Sequence, residues 1–202
     1  ALAGDTVYVR AGTYRETVTP TNSGVTFMPY NGESVTVSGA DVIGGWSVYS
    51  GSIYRTGDVN WDMGTSMNQI FVDGQMMNEA RWPNSSLDVS HPTFAYSDSG
   101  SSNGITDSHL TQSNGFWNGA TIKHLGEYGW HSIARTVTSY TTGTVNFNVY
   151  GSHGPEYSAL LPKAEGGTPY ILMGVLGALD TGGEWYKDTN YVYLWTPQSD
   201  SP

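Results

Sequence analysis

The stretch "AGDTVYVRAGTYRET", Ala3 to Thr17, decides how the fold is read. Within it "TVYVR" (Thr6–Arg10) has the alternation of a strand, "AGT" interrupts it, and "YRETV" resumes to Val18. "TPTNSG" (Thr19–Gly24) is a loop by composition. "VTFMPY" (Val25–Tyr30), the turn "NGE" and "VTVSG" (Val35–Gly39) then repeat the texture. Val7 and Val9 correspond to Val25 and Phe27 at an offset of 18 residues, and Val18 meets Thr36 at the same offset. Two successive strand–turn–strand–turn units read as coils of a parallel β-helix, with an ordinary sandwich as the alternative. The pattern starts at once, without an initiating Met. A removed leader and an upstream part left out are both open readings.

Beyond Trp46 the periodicity stops. "QIFVDGQMM" (Gln69–Met77) predicts a hairpin whose Asp73-Gly74 pair suits a type I′ turn. "ATIKHL" (Ala120–Leu125), "HSIARTVTSY" (His131–Tyr140) and "TVNFNVY" (Thr144–Tyr150) predict further strands, with "TTG" (Thr141–Gly143) as a tight turn. Ser97 to Asn118, rich in Ser, Gly, Asn and Asp, reads as a long surface loop. "YVYLW" (Tyr191–Trp195) is a strand closed by Pro197, placed to pair with the opening rungs. No segment carries a sustained helical period.

Composition bounds the function classes. Eighteen acidic against eight basic residues leave a net charge of −10, a poor match for nucleic acid. The chain has no Cys, which excludes disulfides, thiol nucleophiles and thiolate metal sites. Its longest apolar run, "YILMGVLGAL" (Tyr170–Leu179), is too short to enter and cross a bilayer. A surface poor in Lys and rich in Ser, Thr, Asn, Gly and Tyr points to an extracellular or cell-surface protein. The seven Trp and fourteen Tyr are either core residues of a β protein or, in part, platforms for sugar rings.

Four stretches taken together resemble a known group: "AGDTVYVRAGTYRETV" (Ala3–Val18), "VTVSGADVIGGW" (Val35–Trp46), "QIFVDGQMMNEARWPN" (Gln69–Asn84) and "LGALDTGGEWYKDTNYVYLWTP" (Leu176–Pro197). Their order and texture resemble the N-terminal region of secreted right-handed parallel β-helix proteins of the pectate-lyase-like superfamily, which includes glycoside hydrolases and polysaccharide lyases. The resemblance implies an all-β chain. It would hold the first β-helix coils (1–45), an inserted antiparallel β module (46–183) and a strand returning to the helix (184–202). In that superfamily many more coils follow and carry the catalytic groups. None of the four stretches is a catalytic motif, so no catalytic residue carries over. The chain is then a fragment, a separate module, or one whose missing coils come from neighbouring copies.

Candidate residues follow from chemistry. A glycosidase needs two facing carboxyl groups, about 5–5.5 Å apart for retention or about 6.5–9.5 Å for inversion. Asp180 with Glu184, and Glu79 with Glu127, are the pairs to weigh against backbone-anchoring roles. Lys123, His124, His131 and Arg135 cluster around an expected hairpin, either as a site for an acidic sugar or as a solvated face. Alternation puts Lys123 opposite His124, and His131 on the side of Arg135. Trp117, Tyr128 and Trp130 are the aromatics placed for sugar stacking, whereas Trp82 before Pro83 reads as a plug at the module's edge. The five His show no metal-ligand spacing. Asp58, Asn60 and Asp62 begin like a calcium loop, but Met63 stands where that loop has Gly and no Glu occupies its twelfth position. The expectation is no cofactor, with calcium there as the alternative. Asn84-Ser85-Ser86 is a glycosylation sequon. The functional expectation is recognition of a polysaccharide, by a chain that is part of or derived from a carbohydrate-active enzyme. The alternative is a filament or surface-layer subunit assembled through open β edges.

Overall fold

Thr6–Val9 (β1) lies in parallel beside Thr26–Pro29 (β3), with Val7 opposite Phe27 and Val9 opposite Pro29. Gly12–Arg15 (β2) lies in parallel beside Val35–Ser38 (β4). The two repeated segments therefore pair in parallel, but their register is not the 18-residue one. Thr6 meets Thr26 and Gly12 meets Val35, so the second rung is longer on its β2–β4 side. A one-residue error would turn every side chain to the other face, but Val7 with Phe27 keeps the alternation. This computed structural model describes residues 1–57, 59, 61–64, 67–148 and 161–202.

The chain is all-β and divides into two units, Ala1–Ile43 and Gly44–Pro202. In the first unit the rungs are tied at their corner by Glu33. Its carboxylate accepts from Arg10 Nε at 2.9 Å and from the Ala11 amide at 2.6 Å. The Arg10 hydrogen bond, then the Ala11 amide, hold Glu33 below the usual carboxylate range. Arg10 also lies over the Tyr30 ring, 4.9 Å from its centre. Tyr8, Phe27, Met28 and Val37 are exposed.

The second unit is built on two sheets. One runs Arg81–Trp82 (β10), Pro169–Met173 (β17), Thr121–Leu125 (β14), Ser132–Thr141 (β15), Thr144–Phe147 (β16), Gly104–Thr106 (β13) and Ser99–Ser101 (β12). Ala95–Tyr96 (β11) also pairs with β17. All its pairings are antiparallel. The other runs Ser47–Ser50 (β5), Ile53–Thr56 (β6), Val192–Trp195 (β19), Glu184–Lys187 (β18) and Asn78–Glu79 (β9), where β9 and β18 are parallel. Along β14 the alternation buries Ile122 and His124 and leaves Thr121, Lys123 and Leu125 half-buried. Ile122 packs in one cluster with Leu172, Tyr170, Val137, Tyr140, Val145, Trp117 and Tyr193.

Phe71–Val72 (β7) and Gln75–Met76 (β8) form the expected hairpin. Asp73 and Gly74 both take positive φ, 50° and 80°, as a type I′ turn requires. The strand at Val192–Trp195 differs from expectation. It has β18 on one edge and β6 on the other, so both its hydrogen-bonding edges are filled within the second unit rather than by the opening rungs. The Ser97–Asn118 stretch also differs, because it holds the β12–β13 hairpin and three buried large apolar residues, Ile105, Leu110 and Trp117. Gly104 marks close approach, not looseness: a Cβ there would stand 2.6 Å from the Val145 carbonyl oxygen. Among the described residues no helix is long and apolar enough to cross a membrane.

Candidate functional site

A cleft of about 530 Å³ opens in the Gly44–Pro202 unit, lined by Trp61, Asp62, Glu79, Trp185, Tyr186, Lys187 and Asp188, among others. Three local devices shape it. The first is β18, which supplies Trp185, Tyr186 and Lys187, and whose parallel register sets Trp185 beside Glu79 of β9. The Ala80 amide locks that register by donating to the Trp185 carbonyl at 2.7 Å. The second is the turn after β18. Asp188 Oδ1 accepts from the Asn190 and Tyr191 amides, both at 2.7 Å, and Oδ2 accepts from the Tyr193 hydroxyl at 3.2 Å. The third is an Asx turn at Asp62, whose Oδ1 accepts from the Gly64 amide at 2.8 Å and from Asn68 Nδ2 at 3.0 Å.

The electrostatics of the cleft are mixed. Lys187 Nζ donates to Asp62 Oδ2 at 3.3 Å and to the Asp188 carbonyl at 3.2 Å. The Asn68 amide first, then the Gly64 N–H and Lys187, draw Asp62 down to about 2. Glu79 moves the other way, pushed up by burial against the opposing charge of Lys123. A carboxyl raised by burial, a salt-bridged carboxylate and the Lys187 ammonium thus share one aromatic-lined cavity. Together they offer both donors and acceptors to hydroxyl groups.

The residues expected from sequence are scattered over this unit. Trp117 is a core residue, 1 % exposed, with Nε1 donating to Gln112 Oε1 at 3.3 Å. It offers no stacking face, because the surrounding "Asn, Gly" texture belongs to turns that fold over it. Tyr128 and Trp130 do stand out, 61 % and 74 % exposed, on the turn between β14 and β15. Their rings are 6.1 Å apart at 58°, and Trp130 stacks on His131 at 5.6 Å. That turn is closed by the Gly126 amide on the His131 carbonyl and by Gly129 at φ +74°. Glu127 sits half-buried in the same turn, and the charge felt by Glu79 is that of Lys123 rather than its own.

Lys123 and Arg135 do not share a face. Lys123 is opposite Ala134, whereas Arg135 is opposite Ile122, on the side of His124. The expected basic cluster is thereby split. His124 is buried, stacks on Phe147 at 5.5 Å, and is held below its usual pKa by burial, with Arg135 adding to the effect.

Asp180 and Glu184 are brought together through a backbone contact. The Asp180 amide donates to Glu184 Oε2 at 3.4 Å. Glu184 is 1 % exposed, and its Oε1 has no hydrogen-bond partner among the described residues. Burial first, then the Asp180 charge, push Glu184 up to about 8, against the Asp180 and Arg81 amides and the Arg81 charge. Asp180 itself is exposed and accepts from the Asn84 amide at 2.8 Å, which ties down the sequon side chain. Among the described residues no group of three or more side chains could hold a metal ion. Asp58 and Asn60 of the expected calcium loop lie outside them, and the Oδ1 of Asp62 is taken up by its own turn.

No family model matches the chain, and no curated protein does. A solved structure described as a glycoside hydrolase is similar over 98 % of this chain, with a TM-score of 0.65 at 19 % identity. The fold is shared with part of a glycoside hydrolase. This chain spans 37 % of the length of that one.

Proposed function

We propose that this chain is the polysaccharide-recognising part of an extracellular carbohydrate-active protein, with the cleft at Trp61, Glu79, Tyr186 and Lys187 as the place where sugar binds. The observation that carries this reading is the cleft itself. Aromatic side chains, the part-buried Glu79 carboxyl and a Lys–Asp pair surround a cavity of about 530 Å³, within the range of about 300–1,000 Å³ usual for ligand sites. The likeness to a glycoside hydrolase supports the substrate class, and the exposed Tyr128–Trp130 pair is a second surface suited to sugar rings. The two parallel ladders of the Ala1–Ile43 unit support reading it as the first coils of a right-handed parallel β-helix. Recognition is favoured over catalysis because Glu184 is sealed away from solvent.

Screening the protein on an array of plant and microbial polysaccharides, followed by calorimetry on the hits, tests this. Trp61→Ala or Tyr186→Ala is expected to weaken binding about tenfold, the worth of one ring contact. Absence of binding to every glycan, or binding indifferent to both substitutions, would overturn the proposal. Assembly of copies through β edges is a second reading. It rests on the exposed Tyr8, Phe27 and Val37 of the rungs, and concentration-dependent light scattering that survives Trp61→Ala would favour it.

A further inference from the structure

The Gly44–Pro202 unit contains a second cavity that shares no lining residue with the cleft. We infer that it is a subsite for the apolar face of a neutral pyranose ring, an inference that rests on the saccharide reading above. The cavity measures about 300 Å³ and is walled by Trp82, Pro83, Phe94 and Tyr96, with Asp107 and His109 as its polar members. That size and that mixture, several rings and a few fixed polar groups, match small-molecule sites.

The rings are held in place yet partly bare. Trp82 packs on Tyr170 with centroids 6.0 Å apart, while Phe94 is 39 % and Tyr96 60 % exposed. Aromatic surface left in water beside a cavity is what the C–H face of a sugar covers. The polar members are built just as firmly. Asp107 is buried, and its Oδ2 accepts from the Tyr170 hydroxyl at 2.7 Å. Its Oδ1 accepts from the His109 amide at 2.8 Å and lies 2.9 Å from His109 Nδ1. With Nδ1 donating to this carboxylate, Nε2 is the ring nitrogen left for a sugar hydroxyl. The same Tyr170 thus supports both the Trp82 ring and the Asp107–His109 pair, which makes the site one connected piece.

The charge selects among sugars. Asp107 lies within the site, and Asp98, whose carboxylate accepts from the Ser108 amide at 2.7 Å, is near enough to feel the His109 charge. Two carboxylates around one imidazole disfavour an anionic ring, so neutral hexoses are accepted and uronates rejected.

Saturation-transfer NMR on the whole chain tests the subsite, using methyl β-glucopyranoside, methyl β-galactopyranoside and methyl α-galactopyranosiduronate as probes. The neutral glycosides should receive saturation, and the uronate about fivefold less. In a Trp61→Ala background, which weakens the cleft, a neutral signal should persist. Adding Phe94→Ala with Tyr96→Ala should cut it about fivefold or more. His109→Ala should also reduce it, and carries the test if the double variant fails to fold, because this ring is exposed. A neutral signal lost on Trp61→Ala alone, or unmoved by Phe94→Ala with Tyr96→Ala and by His109→Ala, overturns the subsite but leaves the cleft reading intact. Stronger transfer to the uronate overturns the neutral class. No transfer to any probe in the unsubstituted protein overturns the subsite, and array binding then decides the cleft reading separately.

Discussion

Replacing Glu184 by Gln should make the Gly44–Pro202 unit more stable at alkaline pH and slightly less stable at pH 5. The sign follows from the buried carboxyl. Glu184 is lifted from its ordinary 4.5 to about 8 by burial and by Asp180, so between those values the folded chain binds more protons than the unfolded one. Stability then falls as pH rises through that window. At about 1.4 kcal/mol per pH unit the ceiling is on the order of 5 kcal/mol, reached above pH 8. Gln mimics the protonated acid, so its penalty at pH 5 should stay within about 1–2 kcal/mol, the cost of an imperfectly satisfied buried amide. By pH 9 the variant should lead by on the order of 3 kcal/mol, or roughly 10 °C in Tm at this chain length. Urea unfolding followed by tryptophan emission at five pH values between 5 and 9 measures it. All seven Trp follow Gly44, so the signal reports this unit alone. A difference between Glu and Gln that does not change with pH would refute the reasoning.

Other outcomes follow from the same physics. His124, held neutral by burial, has the opposite sign: stability should be lost as pH falls below about 6.5, and His124→Phe should flatten the acid limb of the same titration. Gly104→Ala should destabilise the unit by about 1–3 kcal/mol, because the new methyl meets the Val145 carbonyl oxygen, measurable as a shift in urea midpoint. Trp130→Ala should change stability by less than about 0.5 kcal/mol, since its ring is exposed, while weakening binding of any glycan that uses the Tyr128–Trp130 surface. Calorimetry beside unfolding separates the two effects.

Elements defined by local chemistry were legible before any coordinates. Asp73-Gly74 dictates its own turn geometry, and alternation alone puts Lys123 opposite His124. The β14, β15 and β19 strands stand within a residue of where alternation placed them, and β16 starts at the expected Thr144, the last two residues of its expected span lying outside the described ones. Long-range facts were not legible. Nothing near Val192–Trp195 says that Ile53–Thr56 will occupy its second edge. The parallel register of Trp185 with Glu79, which makes the cleft, joins residues more than a hundred positions apart. The burial of Trp117 is hidden for a related reason: Ser, Gly and Asn signal turns, but not whether a turn folds over a ring or holds it out. Glu184 next to Asp180 looked like paired carboxyls because sequence gives proximity without burial.

The most direct test of the account is a crystal structure of the chain with an oligosaccharide taken from the array hits. The account predicts sugar in the cleft against Trp61 and Tyr186, with hydroxyls bonded to Glu79 or to the Lys187–Asp62 pair. Sugar found only on the Tyr128–Trp130 surface, with the cleft bare, would contradict it.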